Sequence, residues 1–488
     1  MTLTFRSQGG AWTAVSAIVL AGALIGAPAT VVRAETISDA LATAYQSHPL
    51  LLARRAFLRA VDEGVPVAQS NWRPTVTFTA DHGYGTYKSN AFDQSAGDQW
   101  RFYREYKLSV AQPIYRGGRT LADVRKADYN ALSERAQLQV IEEKVLLDAA
   151  TQYLNTLRDE AVLLLNQNNQ EVLKKQLEAA EDRFRVGEIT RTDVAQAEAR
   201  LAGAKGDTIS SMSTLEASRA AYQKTVGHWP EKLEVPDLAG NLPQSVQEAT
   251  DLATLYNPNV IASQNLAVSA QHNVRLIQGE LLPEVNFVTT ASEAYRTSGT
   301  DTKTSSIAAV VQMTVPIYEA GNVYARIREA KHSAGQRRIE IETARREAVE
   351  AATAAWEGLQ TAMGRVDSFR SQIRASEIAM DGVQKEAEVG LRTVLDVLDA
   401  EQEVLNSKVN LVRAERDLRI AGYTLLSAVG TLTAEKLGLP VQLYDPNEHY
   451  RETRNQWIGS DTDANMDNGE KIPEDYYYFE GYKQSPPK

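Results

Sequence analysis

The 488-residue chain contains no cysteine. Disulfides, thiolate metal sites and cysteine nucleophiles are excluded together. Histidine is scarce: His48, His82, His228, His272, His332 and His449 are scattered, with no pair at metal-ligand spacing. No phosphate-cradling glycine loop or nucleophile elbow occurs, and Gly83-Tyr84-Gly85 lies in a strand pattern rather than a nucleotide fingerprint. These absences argue against an enzyme, and neither a metal nor a cofactor is expected. Beyond residue 34 no run of 18 or more apolar residues appears, which excludes a membrane-spanning helix and leaves a β-barrel open. Positive charge is also in deficit. The net charge of −11 becomes about −13 without Arg6 and Arg33, disfavouring a nucleic-acid partner.

Those two arginines fall in a segment that reads as a secretory signal, residues 1–34. Arg6 supplies a positive start, Ala11 to Ala27 is a short apolar run, and Val32-Arg33-Ala34 offers small residues for a peptidase. The mature chain is expected to begin near Glu35, outside the cytoplasm.

Proline is absent from Ile114 to Trp229 and again from Ile317 to Leu439, and glycine is absent from Arg119 to Arg185. Because proline costs about 3 kcal/mol inside a helix, such runs, rich in Ala, Glu, Leu, Arg and Gln, predict long helices. Unbroken, the glycine-free run would make a rod on the order of 100 Å long. Apolar residues recur at sevens along it in Val124, Ala131, Leu138 and Val145, then in Ala150, Leu157 and Leu164. Ala352, Leu359, Val366, Ile373 and Met380 repeat the pattern, as do Val404, Leu411, Leu418 and Leu425. This heptad period predicts coiled-coil packing, and the drift between tracks predicts contacts on more than one side.

The two runs belong to a duplication. Pro113 and Pro316, Gly187 and Gly390, Asp193 and Asp396, and Gly227 and Gly430 are all separated by 203 residues. That interval far exceeds the roughly 20–50 residues of solenoid and propeller repeats. Gly187 and Gly390 can each close one helix, with Thr190, Thr192 or Thr393 starting the next, so each half is read as a helical hairpin. The first repeat is placed at 35–240, with a β-hairpin at about 75–112 and a helical hairpin at about 116–228. The second is placed at 241–440, with a β-hairpin at about 284–315 and a helical hairpin at about 319–432. Residues 441–488 are acidic, with little aliphatic content, and are expected to be disordered or loosely draped.

The strand segments alternate. Val76, Phe78, Ala80, His82 and Tyr84 oppose Thr75, Thr77, Thr79 and Asp81; Trp100, Phe102, Tyr106, Leu108 and Val110 form a second apolar face, interrupted by Arg104. Val285, Phe287, Thr289 and Ala291, then Ile307, Ala309, Val311, Met313 and Val315, do the same in the second half. Trp72, Tyr106, Tyr115 and Tyr318 stand near strand ends, where interfacial rings are found. Four strands cannot close a membrane barrel, since the smallest use about eight and lipid tolerates no open edge. Several chains must therefore contribute.

The chain resembles the TolC-type outer-membrane efflux family over roughly Glu35 to Pro440. The resemblance is carried by His48-Pro49 and Asn257-Pro258, Trp72-Arg73-Pro74 and Leu282-Pro283, Pro113-Ile114-Tyr115 and Pro316-Ile317-Tyr318. Gly187-Glu188-Ile189-Thr190-Arg191-Thr192-Asp193-Val194 and the matching series from Gly390 to Ala400 mark the tips. It implies an α+β membrane protein and a homotrimer, with a twelve-stranded barrel in outer-membrane lipid continuing into a helical coiled-coil tunnel in the periplasm. It also implies passive export of small molecules or proteins, as in multidrug efflux or type I secretion. The partners implied are a periplasmic adaptor (membrane fusion protein) and an inner-membrane transporter of RND or ABC type.

The resemblance further assigns Asp396 and Asp399 to a carboxylate ring at the entrance, where crowding would raise their pKa values and attract cations. It assigns Arg392 and Thr393, facing Thr192 and Asp193, to the latch. Val186, Gly187 and Glu188, with Val389, Gly390 and Leu391, are the adaptor-docking tips. Gln196 stands where the second repeat has Asp399, so the second hairpin is the expected gate. Ala387 stands where a tyrosine is common in the family, a departure that implies a closed state held differently or less firmly here. A periplasmic adaptor or coiled-coil scaffold is the competing reading, but adaptors carry one hairpin flanked by compact β domains rather than two hairpins alternating with amphipathic strands.

Overall fold

The computed structural model describes residues 34–86, 100–297 and 301–459. The signal expected before Glu35, the loop at 89–98 and the tail beyond 459 lie outside the described residues.

Three short helices come first: α1 (Ile37–Ser47), α2 (Pro49–Asp62) and α3 (Gly64–Ser70). The strands β1 (Thr75–Gly85) and β2 (Arg101–Arg116) follow, then the rod α4 (Arg119–Arg185) and its return arm α5 (Arg191–Val226). The second half repeats this order with α6 (Val246–Tyr256), α7 (Pro258–Gln278), β3 (Glu284–Tyr295), β4 (Lys303–Thr314), α8 (Asn322–Glu388) and α9 (Val394–Ala428). Both rods have 67 residues, about 100 Å at helical rise. The repeated His-Pro and Asn-Pro pairs now have a local cause. His48 and Asn257 are N-caps whose side chains accept the N–H two residues on, of Leu50 and Asn259, while Pro49 and Pro258 sit where a helix needs no N–H.

The strands form one antiparallel sheet in the order β1-β2-β3-β4. Its register puts Phe78, Leu108, Ala291 and Ile307 in one cross-strand row and Val76, Val110, Thr289 and Ala309 in the next. The apolar face has no protein layer over it: Phe78 and Ile307 remain 65% and 85% exposed. Arg104 lies in the row of His82 and Tyr295, its guanidinium 5.4 Å from the Tyr295 ring centre. The sheet is open, with β1 and β4 at its edges.

The two proline words differ structurally. β2 continues through Pro113 to Arg116, and its pairing with β3 shifts between Pro113 and Tyr115. Proline cannot donate to the ladder, and β1 pairs with β2 only as far as Ala111, so Pro113 has a strand neighbour on one side alone. β4 is an edge strand and ends at Thr314, before Pro316.

The core lies where the short helices clasp the rods. Leu41, Leu51 and Leu58 of α1 and α2 meet Leu138, Leu146 and Tyr153 of α4 and Tyr222 of α5 in one buried cluster. A second cluster joins Ala249, Ala253 and Val260 of α6 and α7 to Ala352 and Leu359 of α8 and Leu425 of α9. The heptad residues Val124, Ala131, Leu138 and Val145 are all buried, whereas Leu164, further along the rod, is 58% exposed. One chain thus covers its seam near the clasp, leaves it bare around Leu164, and covers it again at Leu173 and Ala180.

The segment after residue 440 corrects the expectation of a loose tail throughout. Residues 441–459 are ordered, with α10 (Glu448–Thr453) docked on α2 and α4. Polar contacts hold it: Tyr450 donates to Asp128 Oδ1 at 2.7 Å, the Tyr444 N–H donates to the Tyr45 hydroxyl at 3.1 Å, and the Arg135 guanidinium lies 4.7 Å from the Tyr450 ring centre.

Candidate functional site at the helical hairpin tips

Each rod ends in the same two-bond closure. The Glu188 N–H donates to the Arg183 carbonyl and the Gly187 N–H to the Phe184 carbonyl; Leu391 and Gly390 do the same to Glu386 and Ala387. This closure needs a left-handed residue, and Gly187 and Gly390 supply φ of +80° and +77°. Val186, Val389 and Leu391 project at the two turns, each about 70% exposed or more.

The return arms start with a capping box. Thr190 and Thr393, rather than Thr192, are the N-caps. Asp193 accepts the Thr190 N–H at 2.9 Å and returns its own N–H to the Thr190 hydroxyl at 3.3 Å. Asp396 and Thr393 do the same at 2.9 and 3.2 Å. These bonds hold both carboxyls below the usual aspartate range, at Asp396 through the Thr393 N–H first and at Asp193 through the Thr190 hydroxyl first. Within one chain the direction is opposite to that expected of a crowded ring, because the cap favours the charged form.

Asp399 lies one turn further on and is paired with Arg200 of α5, so the two hairpins of one chain are bridged at this level. Leu398 beside it is buried with Leu173, Ala180, Ala197, Leu201 and Ala204 of the first hairpin. Arg392 Nε donates to Glu386 at 2.8 Å within its own tip, as Arg183 does to Glu188 at 3.1 Å in the other. The expected latch residues are therefore not joined within the chain: Asp193 is engaged by Thr190 and Arg392 by Glu386. Thr192 is exposed in the first turn of α5.

Arg200, Glu386, Gln176 and Glu401 escaped the sequence reading. Gln176 of α4 donates to Glu401 Oε1 at 3.1 Å, a second bridge between hairpins, and burial pushes the Glu401 carboxyl up. Arg200 had a sequence signal, since it follows Asp193 by seven residues and so shares its helix face.

Two helical hairpins, each ending in an exposed turn, and a four-stranded sheet at the other end of the rods match a family model described as outer membrane efflux protein over residues 40–228 and 250–431. The chain belongs to the outer membrane efflux protein family. It is 33% identical over 445 residues to the outer membrane efflux protein BepC of Brucella suis, covering 91% of this chain and 95% of that one. It is 24% identical to the outer membrane protein TolC of Escherichia coli, with 86% and 87% covered. The Campylobacter jejuni CmeC outer membrane channel has the same fold at 14% identity, with a TM-score of 0.73 over 86% of this chain and 89% of that one. Outer membrane efflux proteins are non-enzymatic, trimeric channels. The sheet accordingly belongs in the outer membrane and the rods form a periplasmic tunnel.

Proposed function

We propose that three copies form the exit duct of an export machine, docking through the hairpin tips to a periplasmic adaptor (membrane fusion protein) fed by an inner-membrane transporter of RND or ABC type. The observation that supports this best is the pair of bare tips. Val186, Val389 and Leu391 expose apolar side chains on turns fixed by Gly187 and Gly390, while Glu188 is exposed beside them. Rigid apolar projections at the end of a rod suit a protein partner.

The same reading makes the second hairpin the gate. Asp396 and Asp399, three apart on one helix face, would bring six carboxylates to the entrance of a trimer and favour cations. Arg392 and Thr393 act as latch residues toward Thr192 and Asp193 across the entrance, with Arg392 leaving Glu386 to do so. Replacing Asp396 and Asp399 together by alanine should abolish block by multivalent cations in planar bilayers, with heat-resistant trimers retained. Unchanged block in such trimers would refute the ring.

A further inference from the structure

We propose that the C-terminal segment carries a lipid anchor, in which Trp457 and Ile458 enter the headgroup region of the inner leaflet of the outer membrane. Tyr450 and the buried Thr453 fix α10 to the clasp, and Arg454 lies 3.7 Å from Asp128. The chain then runs to the base of the sheet. Arg73 Nη1 donates to the Gln456 carbonyl at 2.6 Å, and its guanidinium sits 4.8 Å from the Trp457 ring centre. Arg73 is itself placed by the turn between α3 and β1, where Gln112 of β2 donates to the Trp72 carbonyl at 2.8 Å. One arginine thereby pins an indole at the level where β1 begins.

The pinned groups face away from the protein. Trp457 is 65% exposed and Ile458 92%. Trp72, Ile114, Tyr115, Ile317 and Tyr318, at the same ends of the strands, are also exposed. Together they form an exposed fringe of aromatic and branched side chains at the base of the sheet. An indole with an apolar body and one N–H suits a membrane interface, and a fixed backbone lowers the ordering cost of inserting it. With the tunnel in the periplasm, the strand bases lie at the inner leaflet. Continuity with the base of the membrane-embedded sheet favours lipid over a second protein as the occupant.

The absence of cysteine allows a clean test. Ile458→Cys and, as an aqueous reference on α10, Glu448→Cys would be labelled with bimane in full-length trimers reconstituted into vesicles. The label at 458 should be quenched several-fold more by headgroup-proximal nitroxide lipids than the label at 448, and several-fold less by iodide. Arg73→Ala should move the 458 label toward the aqueous pattern. Equal iodide quenching at the two positions would overturn the anchor. So would a 458 label reached by neither quencher, because protein would then cover it. A 458 label still quenched by lipid in Arg73→Ala would remove Arg73 from the proposal.

Discussion

Glu143 is a carboxylic acid in the wrong place for its charge. It lies in the middle of α4, 4% exposed, and burial pushes its carboxyl up to about 8. Gln139 donates to it at 3.2 Å and Lys436 acts against the shift, while the neighbouring Glu142, itself raised by burial, adds to it. The folded chain therefore keeps this proton to about pH 8, whereas the unfolded chain releases it near 4.5. The native state binds more protons across that window, so stability falls as pH rises through it and levels off above pH 8. At about 1.4 kcal/mol per pH unit, the interval from 4.5 to 7 sets a ceiling of about 3 kcal/mol per chain at neutral pH. Glu143→Gln keeps the shape and removes the titration. The variant should match the wild type near pH 4.5, gain up to about 3 kcal/mol at pH 7 and reach a plateau above pH 8. Denaturant unfolding of detergent-solubilised protein at pH 5, 7 and 9, followed by helical circular dichroism, reads this directly. Parallel curves for the two proteins, or an advantage that grows toward acid, would refute the reasoning.

Two further predictions concern the tips. Arg200→Ala frees Asp399 from its partner in the first hairpin, so multivalent cations should block at a lower concentration, by a few-fold, because an exposed pair is worth about 0.2–1 kcal/mol. An unchanged half-block concentration in bilayer recordings would mean that Arg200 does not tune the ring. Arg392→Ser removes the guanidinium that Glu386 holds and should raise single-channel conductance if Arg392 latches the entrance; conductance equal to wild type would remove it from that role.

The fold was legible wherever local chemistry and tertiary structure agree. The span without glycine from Arg119 to Arg185 coincides with α4 residue for residue, because nothing inside it competes with the helix and Gly187 can close it. The strands were legible because a sheet with one bare apolar face must alternate, and Val76, Phe78 and Leu108 do. The docked segment after residue 440 was not, because Tyr444 and Tyr450 hold it through hydroxyl and amide bonds that leave no apolar period to read. The same limit hid the node around Glu35. Its backbone pairs with Leu233, its carboxylate accepts from Tyr222, and the Tyr153 hydroxyl lies 2.8 Å from its carbonyl oxygen; these partners are 118 to 198 positions away.

At the tips, the immediate partners of the residues singled out in the sequence were not legible there, and those partners bear on how a gate could work. Asp396 was read as a lumenal charge, but its first task is local: it caps α9, and the Thr393 N–H keeps it ionised. A carboxylate held in a cap cannot swing far, so a ring built from it would change radius only with movement of the whole hairpin. Asp399 has no such tie to its own helix and is matched to Arg200 on the neighbouring hairpin. Separating the two hairpins would break that pair and release one negative charge per chain into the entrance at the moment it widens. Mechanical opening and cation attraction would then be the same event. The first repeat cannot reproduce it, because Gln196, at the position equivalent to Asp399, has no charge to release.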